Sequence, residues 1–470
     1  MSDRKFNKVL NSGDVIVTAF GAMIGWGWVV SSGDWLQKSG ALETALGFLI
    51  AGIMIFFVGL TYAELTSAMP KCGGEHVFSF RAFGPVGSFL CTWALILSYV
   101  GVICFEAVSL PTVMQYLIPN FLQGYMYTIA GFDVYASWLI VAVFSALFIT
   151  FINLKGVKTA AFVQTILTVV IAGAGILLVI GTALNGSSNL DGQIFIGDGF
   201  EVIFRNVLSI AAVAPFFLMG FDVIPQVAEE IKVPLKKIGK LMLLSIVMAV
   251  GFYMMVVLSI GVAMSSADIT ASMEGSGLVA ADAMAKVFNS NLMAKVLIIG
   301  GVCGIITSWN SFMIGGSRAI YSMAEAHMIP HCFSKLSEKK TPTNAILLVG
   351  ILSAVSPLFG RKMLVWVSDA ASFACCIAYC IVALSFIVIR RKEPHLQRPY
   401  KVKHYKFVSI IAALTSGFMV LMYIIPGFGA TLLPQEWMIV GGWTIIGIIF
   451  AVSSKRRYGE KFGVVKFEDQ

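Results

Sequence analysis

The chain has 470 residues, of which 58% are hydrophobic and only 12% charged, and its formal net charge is +8. A soluble globular domain is nearer roughly 45–50% apolar and about 25% charged. With a mean hydropathy of +0.87, the composition excludes a soluble enzyme and points to an all-α polytopic membrane protein.

Apolar runs of about 17–25 residues are long enough to cross a bilayer as helices. About twelve are present, with approximate cores at 15–32, 43–66, 86–108, 135–153, 160–184, 204–226, 240–264, 292–316, 343–358, 364–389, 407–425 and 437–453. The ninth is short and ends near Pro357. Residues 1–11 are polar and lead directly into a full span, so no secretory signal is expected. The longest outer segments, 109–134, 185–203 and 265–290, carry few charges and are expected to hold short surface helices.

The first span contains Gly21-Ala22-Met23-Ile24-Gly25-Trp26-Gly27-Trp28. Each glycine costs about 1 kcal/mol relative to alanine inside a helix. Broken backbone at membrane depth is tolerated only where it is buried in protein or lines a cavity. The stretch reads either as a helix break with bare amides or as a small-residue packing surface. The sixth span has a similar weak point in Pro215, Gly220 and Asp222. Pro215 removes a helix hydrogen bond. Asp222 is an ionisable residue inside an apolar segment, and such residues mark functional sites by default. The bland reading of Asp222 is a buried carboxylate bonded to backbone across the break. Two interrupted spans separated by four others fit an inverted repeat of five plus five helices, with substrate held where the breaks meet. Half-helix amino termini offer amides to an anion, and half-helix carboxyl termini offer carbonyls to a cation. An α-amino acid carries both charges.

Basic residues orient the chain. Lys71, Arg81, Lys155, Lys158, Lys232, Lys236, Lys237, Arg318, Lys335, Lys339, Lys340, the run from Arg390 to Lys406, and Lys455-Arg456-Arg457 all fall on one side. The other side holds little beyond Lys38, Arg361 and Lys362, with Arg205, Lys286 and Lys295 near span ends. The positive-inside rule makes the first side cytoplasmic, and an even span count places both termini there. This placement accounts for the net charge and argues against nucleic-acid binding. No GxxxxGK[ST] loop, HExxH, Cys/His cluster or GxSxG is present, so neither ATP coupling nor catalysis is expected. The eight cysteines have no paired zinc-type spacing and read as small packing residues.

Further motifs are more specific. Tyr62-Ala-Glu-Leu65, Met69-Pro-Lys-Cys-Gly-Gly-Glu75, Asn153-Leu-Lys-Gly-Val-Lys158, Gly220-Phe-Asp222 with Ala228-Glu-Glu230, Ser317-Arg318 with Tyr321-Ser-Met-Ala324, and Arg390-Arg-Lys-Glu-Pro394 recur in order along most of the chain. Together they resemble the amino acid–polyamine–organocation (APC) transporter superfamily. The resemblance implies a LeuT-like fold with broken first and sixth helices and alternating access. It implies one transporter domain over 1–470, with repeats at 13–184 and 204–389 and two peripheral helices at 407–453. It also implies that Gly21, Ala22, Ile24, Gly25, Trp26 and Gly27 hold the substrate, the amides contacting its carboxylate. Phe216 then maps to an aromatic gate, with Gly220 beside it, and Glu229 and Glu230 to an intracellular gate.

The chain departs from the family pattern in three places. Trp26 stands where Ser or Thr is usual, and His76 where Tyr is usual. The fifth span has no lysine; Ile171, seven residues after Gln164, takes the place where proton-coupled relatives carry one. Coupling is then open between Na+ held by Thr307 and Ser308, H+ carried by Asp222, and exchange without an ion. A carboxyl in a dry site resists ionisation. The two hydroxyls have a bland alternative, bonding to their own helix carbonyls. Glu64 reads as a structural anchor. Glu106 and Asn310 are pocket candidates, and Asp369 is a further carboxylate inside a span. No resident metal or organic cofactor is expected. The expected partners are a small-molecule substrate and the lipid bilayer of the cytoplasmic membrane. The favoured function is secondary amino acid transport. The alternatives are transport of a small amine or organocation, because indole faces bind cations, and nutrient sensing without transport.

Overall fold

The structure is a computed structural model that describes residues 6–186, 199–426 and 431–465, without the side chains of 362–365. Helices dominate. They are α1 (Ser12–Met23), α2 (Gly27–Ala68), α3 (Glu75–Leu117), α4 (Ala136–Leu154), α5 (Val157–Asn185), α6 (Phe200–Phe217), α7 (Val223–Gln226), α8 (Leu235–Ala263), α9 (Ser266–Glu274), α10 (Val279–Phe288), α11 (Asn291–Glu325), α12 (Thr343–Val355), α13 (Gly360–Lys392), α14 (Tyr405–Ile424) and α15 (Pro434–Tyr458). Among the described residues, ten helices are long and apolar enough to cross a membrane, and Ser12–Met23 and Thr343–Phe359 are shorter apolar helices. Lipid solvates the outward faces, where Phe144, Phe162, Leu184 and Met438 lie bare.

The expected first span is broken, and its parts are α1 and the start of α2. The Asn11 side chain accepts from the Gly13 and Asp14 amides, and the Asp14 carboxylate accepts from the Asn11 amide. This capping box starts α1 within the polar leader. The leader is tied down as well: Leu10 bridges Ile231 in parallel, with the Lys232 amide donating to the Leu10 carbonyl at 2.8 Å. The helix α2 bends at Gly40, whose φ of 66° lies outside the helical region. The bend separates the rest of the first expected span from the second. The helix α3 starts earlier than its apolar core suggests, at Glu75, and bends at Gly84 just before Pro85.

The outer segments are mixed. Residues 265–290 do hold two short helices, α9 and α10. Lys286 and Ser265 bond the Asp268 carboxylate and hold its pKa down to about 2, which keeps it charged at physiological pH. The segment 109–134 departs from the expectation of helices. It carries a two-stranded antiparallel hairpin, β1 (Tyr125–Ile129) with β2 (Phe132–Tyr135). Alternating aromatic and β-branched residues around Ala130-Gly131, both at positive φ, favour this turn. Most of the expected segment 185–203 lies outside the described residues, and α6 begins at Phe200.

On the basic side, charged residues lock helix ends together. The Glu64 carboxylate is fully buried, accepts from Arg390 at 2.6 Å and the Val402 amide at 2.7 Å, and pairs with the Arg398 guanidinium at 3.0 Å. Glu64 is thus an anchor between α2 and the loop that follows α13. Arg318 of α11 is buried against Glu230 at 2.9 Å.

Candidate functional site

The two breaks face each other. The first comprises residues 24–26, between α1 and α2. The second comprises residues 218–222, between α6 and α7. Gly220 has φ +135°, and a Cβ there would lie 2.6 Å from Ala22 Cβ and 3.2 Å from the Met23 amide nitrogen. Gly27 in turn lies under the Phe217 ring; a Cβ at 27 would stand 2.4 Å from Phe217 Cδ1. Each break therefore supplies the glycine that lets the other approach.

The backbone groups freed by the first break have definite surroundings. The Tyr253 hydroxyl of α8 donates to the Met23 carbonyl at 2.9 Å. Thr307 of α11 donates to the Gly21 carbonyl at 3.0 Å and to its own helix at Gly304, 2.9 Å. Further inside α1, Ser311 donates to the Thr18 carbonyl at 3.0 Å. The helix α2 starts at Gly27 with no side chain capping it, so its first amides are left for whatever occupies the break. Glu106 of α3 sits beside them. Its Oε1 would lie 3.4 Å from a Cβ on Gly25 and accepts the Ser308 hydroxyl. Its Oε2 is buried with no hydrogen bond.

Trp26 is buried and turned toward α11. A Cβ on Gly301 would overlap its ring, 1.9 Å from Cζ3. The indole also borders a cavity of about 30 Å³ with Phe105, Ser109, Thr112, Tyr116 and Arg361. By the usual allowance of about 10–15 Å³ per water, that space suits a few waters and not an amino acid. Phe216 meets Phe105 edge to face at 6.2 Å and Phe217 at 5.1 Å, so aromatic rings close the site on this side. Gly301→Val is expected to drive the indole out of its slot and cost about 1–3 kcal/mol, as other overpacked cores do. Thermal denaturation of the purified protein measures it; an unchanged midpoint would show that the ring has room to relax.

Asp222 is fully buried beside the second break. Its Oδ1 accepts from the Gly220 amide at 2.8 Å and the Tyr379 hydroxyl at 3.1 Å. The bond across the break is the bland role foreseen for it, yet Oδ2 is left without a bond. Asn310 is bonded between helices. Its amide donates to Gln164 at 2.9 Å and to the Ala160 carbonyl, while its oxygen accepts from Asn153; it ties α4, α5 and α11 together. Ile171 is buried, with its Cδ1 2.1 Å from where a Gly304 Cβ would stand and the Gly25 carbonyl oxygen 3.1 Å from the same point. An apolar methyl thus packs beside the first break. Asp369 lies next to Glu436 of α15, away from either break.

Two residues at the breaks escape sequence reading. Phe217 and Tyr253 lie in segments where aromatic residues are common, and no spacing singles them out. The family resemblance mapped the gate to Phe216 and did not name Phe217, the ring that covers Gly27.

The model of the amino acid permease family matches residues 14–457. The branched-chain amino acid permease BcaP of Bacillus subtilis is 25% identical over 432 residues, covering 89% of each chain. The methylthioribose transporter of the same organism is 23% identical over 464 residues, covering 96% of this chain and 94% of its own. Its aspartate-proton symporter is 24% identical over 425 residues, covering 88% and 79%.

Proposed function

Because the chain belongs to the amino acid permease family, a family of transporters, we propose that it is a secondary active transporter that moves amino acids across the cytoplasmic membrane by alternating access. One observation carries the reading: the breaks in the first and sixth spans touch, Gly220 against Ala22 and Gly27 against Phe217. Counting α1 with the start of α2 as one crossing, and α6 with α7 as another, gives twelve crossings. They divide into repeats at 13–184 and 204–389 and a peripheral pair at 407–453. The excess of Lys and Arg on one side supports cytoplasmic termini.

In this reading the amides at Gly25, Trp26 and Gly27 take the substrate carboxylate, and Glu106 Oε2 takes its ammonium. Phe216 and Phe105 form the outer lid. The inner half, α7, is latched by Arg318 and Glu230. A sodium ion at Thr307 and Ser308 is the less supported coupling mode, since Thr307 already bonds the Gly21 carbonyl, Ser308 bonds Glu106, and the Ile171 methyl packs alongside. A proton is better supported: Asp222 is buried beside the break, and the name of one relative specifies a proton symporter.

A second reading keeps the site and changes the substrate to an amine without a carboxylate. Glu106 favours it, because a carboxylate of the protein already lies against Gly25. Thermal stabilisation by a panel of amino acids and matching decarboxylated amines separates the two. Amino acids are expected to stabilise the protein, and stabilisation by amines alone would replace the first reading with the second. Glu106→Gln is expected to weaken the stabilising ligand by about 1.5–3 kcal/mol, a factor of about ten to a hundred. An unchanged concentration dependence would remove Glu106 from the site.

A further inference from the structure

The inner side of the sixth-span break holds a polar cluster of which the transport reading uses only Asp222. Glu75, the first residue of α3, and Asp222 are both fully buried. They are connected through one side chain and one ring layer. Gln226, four residues after Asp222, donates to Glu75 Oε2 and at 3.4 Å to the Gly73 carbonyl. The Tyr62 ring packs on Tyr379 at 5.8 Å and on Phe221 at 5.3 Å, and Tyr379 donates to Asp222. The Tyr62 hydroxyl faces Glu75, and the Tyr99 hydroxyl faces Asp222.

Neither carboxylate has a cationic neighbour among the described residues. The titratable groups facing them are Tyr62 of α2, Cys91 and Tyr99 of α3, and Cys375 and Tyr379 of α13. The ring of His76, next to Glu75 in the chain, is held instead by the Ser88 hydroxyl at 2.7 Å and Thr92 at 3.2 Å. Arg318 is spent on Glu230. Two carboxylates in one dry site cannot both stay ionised without a cation or a proton.

The hydrogen-bond inventory gives the same answer. Glu75 Oε1, Asp222 Oδ2 and Gln226 Oε1 are buried acceptors without a donor. The Tyr62 and Tyr99 hydroxyls are buried donors without an acceptor. A proton on either carboxyl would give one of these acceptors a donor. We propose that Glu75 and Asp222 together hold one exchangeable proton, and that this pair is the coupling site of the transporter. The proposal rests on the transport reading above.

Opening of the inner gate supplies the release step. Asp222 and Gln226 belong to the α7 side, and Glu75 to α3. Moving α7 outward separates the two carboxyls and lets water in. The O–H bond of the carboxylic acid then breaks, the proton passes to water, and two separate carboxylates remain. In the closed state Arg318–Glu230 and the Lys71–Gly74 loop seal the pair. Gly74 packs so closely on Pro225 that a Cβ there would stand 2.3 Å from Pro225 Cβ.

The full chain in proteoliposomes, with an equimolar mixture of labelled amino acids, tests the proposal. A gradient of one pH unit coupled to one proton is expected to drive about tenfold accumulation. Glu75→Gln should keep counterflow exchange and lose the accumulation, Glu75→Asp should restore part of it, and Asp222→Asn should also lose the accumulation. Accumulation retained in both variants overturns the proposal, as does thermal stabilisation by Na+ at fixed pH that disappears in Glu75→Gln. If the wild type exchanges no amino acid, the transport reading fails, and infrared difference spectroscopy then tests the proton itself. A protonated-carboxyl band at neutral pH that changes in each single variant supports the pair, and a band unchanged in both overturns it.

Discussion

Arg318→Met is expected to lower stability by about 3–5 kcal/mol, the cost of leaving one partner of a buried ion pair uncompensated. Arg318 is 1% exposed and Glu230 is 3% exposed, so water cannot replace the lost guanidinium. The bond is short, 2.9 Å from Nε to Oε1, and the Ser317 hydroxyl accepts a further Arg318 N–H at 3.0 Å. Glu230 also anchors the leader, since its carbonyl accepts the Val9 and Leu10 amides at 2.9 Å. One pair thus joins α11, the segment after α7 and the chain start. Adding Glu230→Gln to Arg318→Met should recover much of the loss, because the orphaned charge is then gone. Denaturation of the wild type, both single variants and the double variant measures the coupling. Purely additive losses would show that the pair is no latch.

Gly220→Ala is expected to reduce transport at least about tenfold, which corresponds to only 1.4 kcal/mol at the site. A non-glycine residue forced to a positive φ of this kind costs about 1–3 kcal/mol. The new methyl would also press on Ala22 and Met23, so strain relief must move one break away from the other. Gly251→Ala on α8 is the control, because nothing lies within 4 Å of its would-be Cβ. That change should leave counterflow unaltered and raise helix stability slightly. Equal counterflow in both variants would mean that the close approach at Gly220 is dispensable.

Much of this architecture is legible in the chain. Hydrophobic length marks the spans, because a bilayer demands a helix of set length with every backbone group satisfied. Gly25, Gly27, Pro215 and Gly220 marked the breaks, because those residues are costly in an uninterrupted helix. The 125–135 hairpin was missed because outside the bilayer the length rule no longer applies, and local turn chemistry decides instead.

The partners at the breaks belong to the tertiary structure. Glu106 and Ser308 are 202 positions apart and Glu75 and Gln226 are 151 apart, and no local pattern records such pairings. Asn310 illustrates the limit: the same residue type at the same depth serves a pocket or a helix joint, depending on which helix faces it. By itself the sequence determined a membrane-spanning bundle with two weak points and one basic side, because those follow from local backbone cost and the solvent. Only the packing of helices decided that the weak points meet, that Glu106 stands at the first, and that Glu75 and Asp222 share a dry site, because desolvation and unmet hydrogen bonds exist only once distant segments exclude water together.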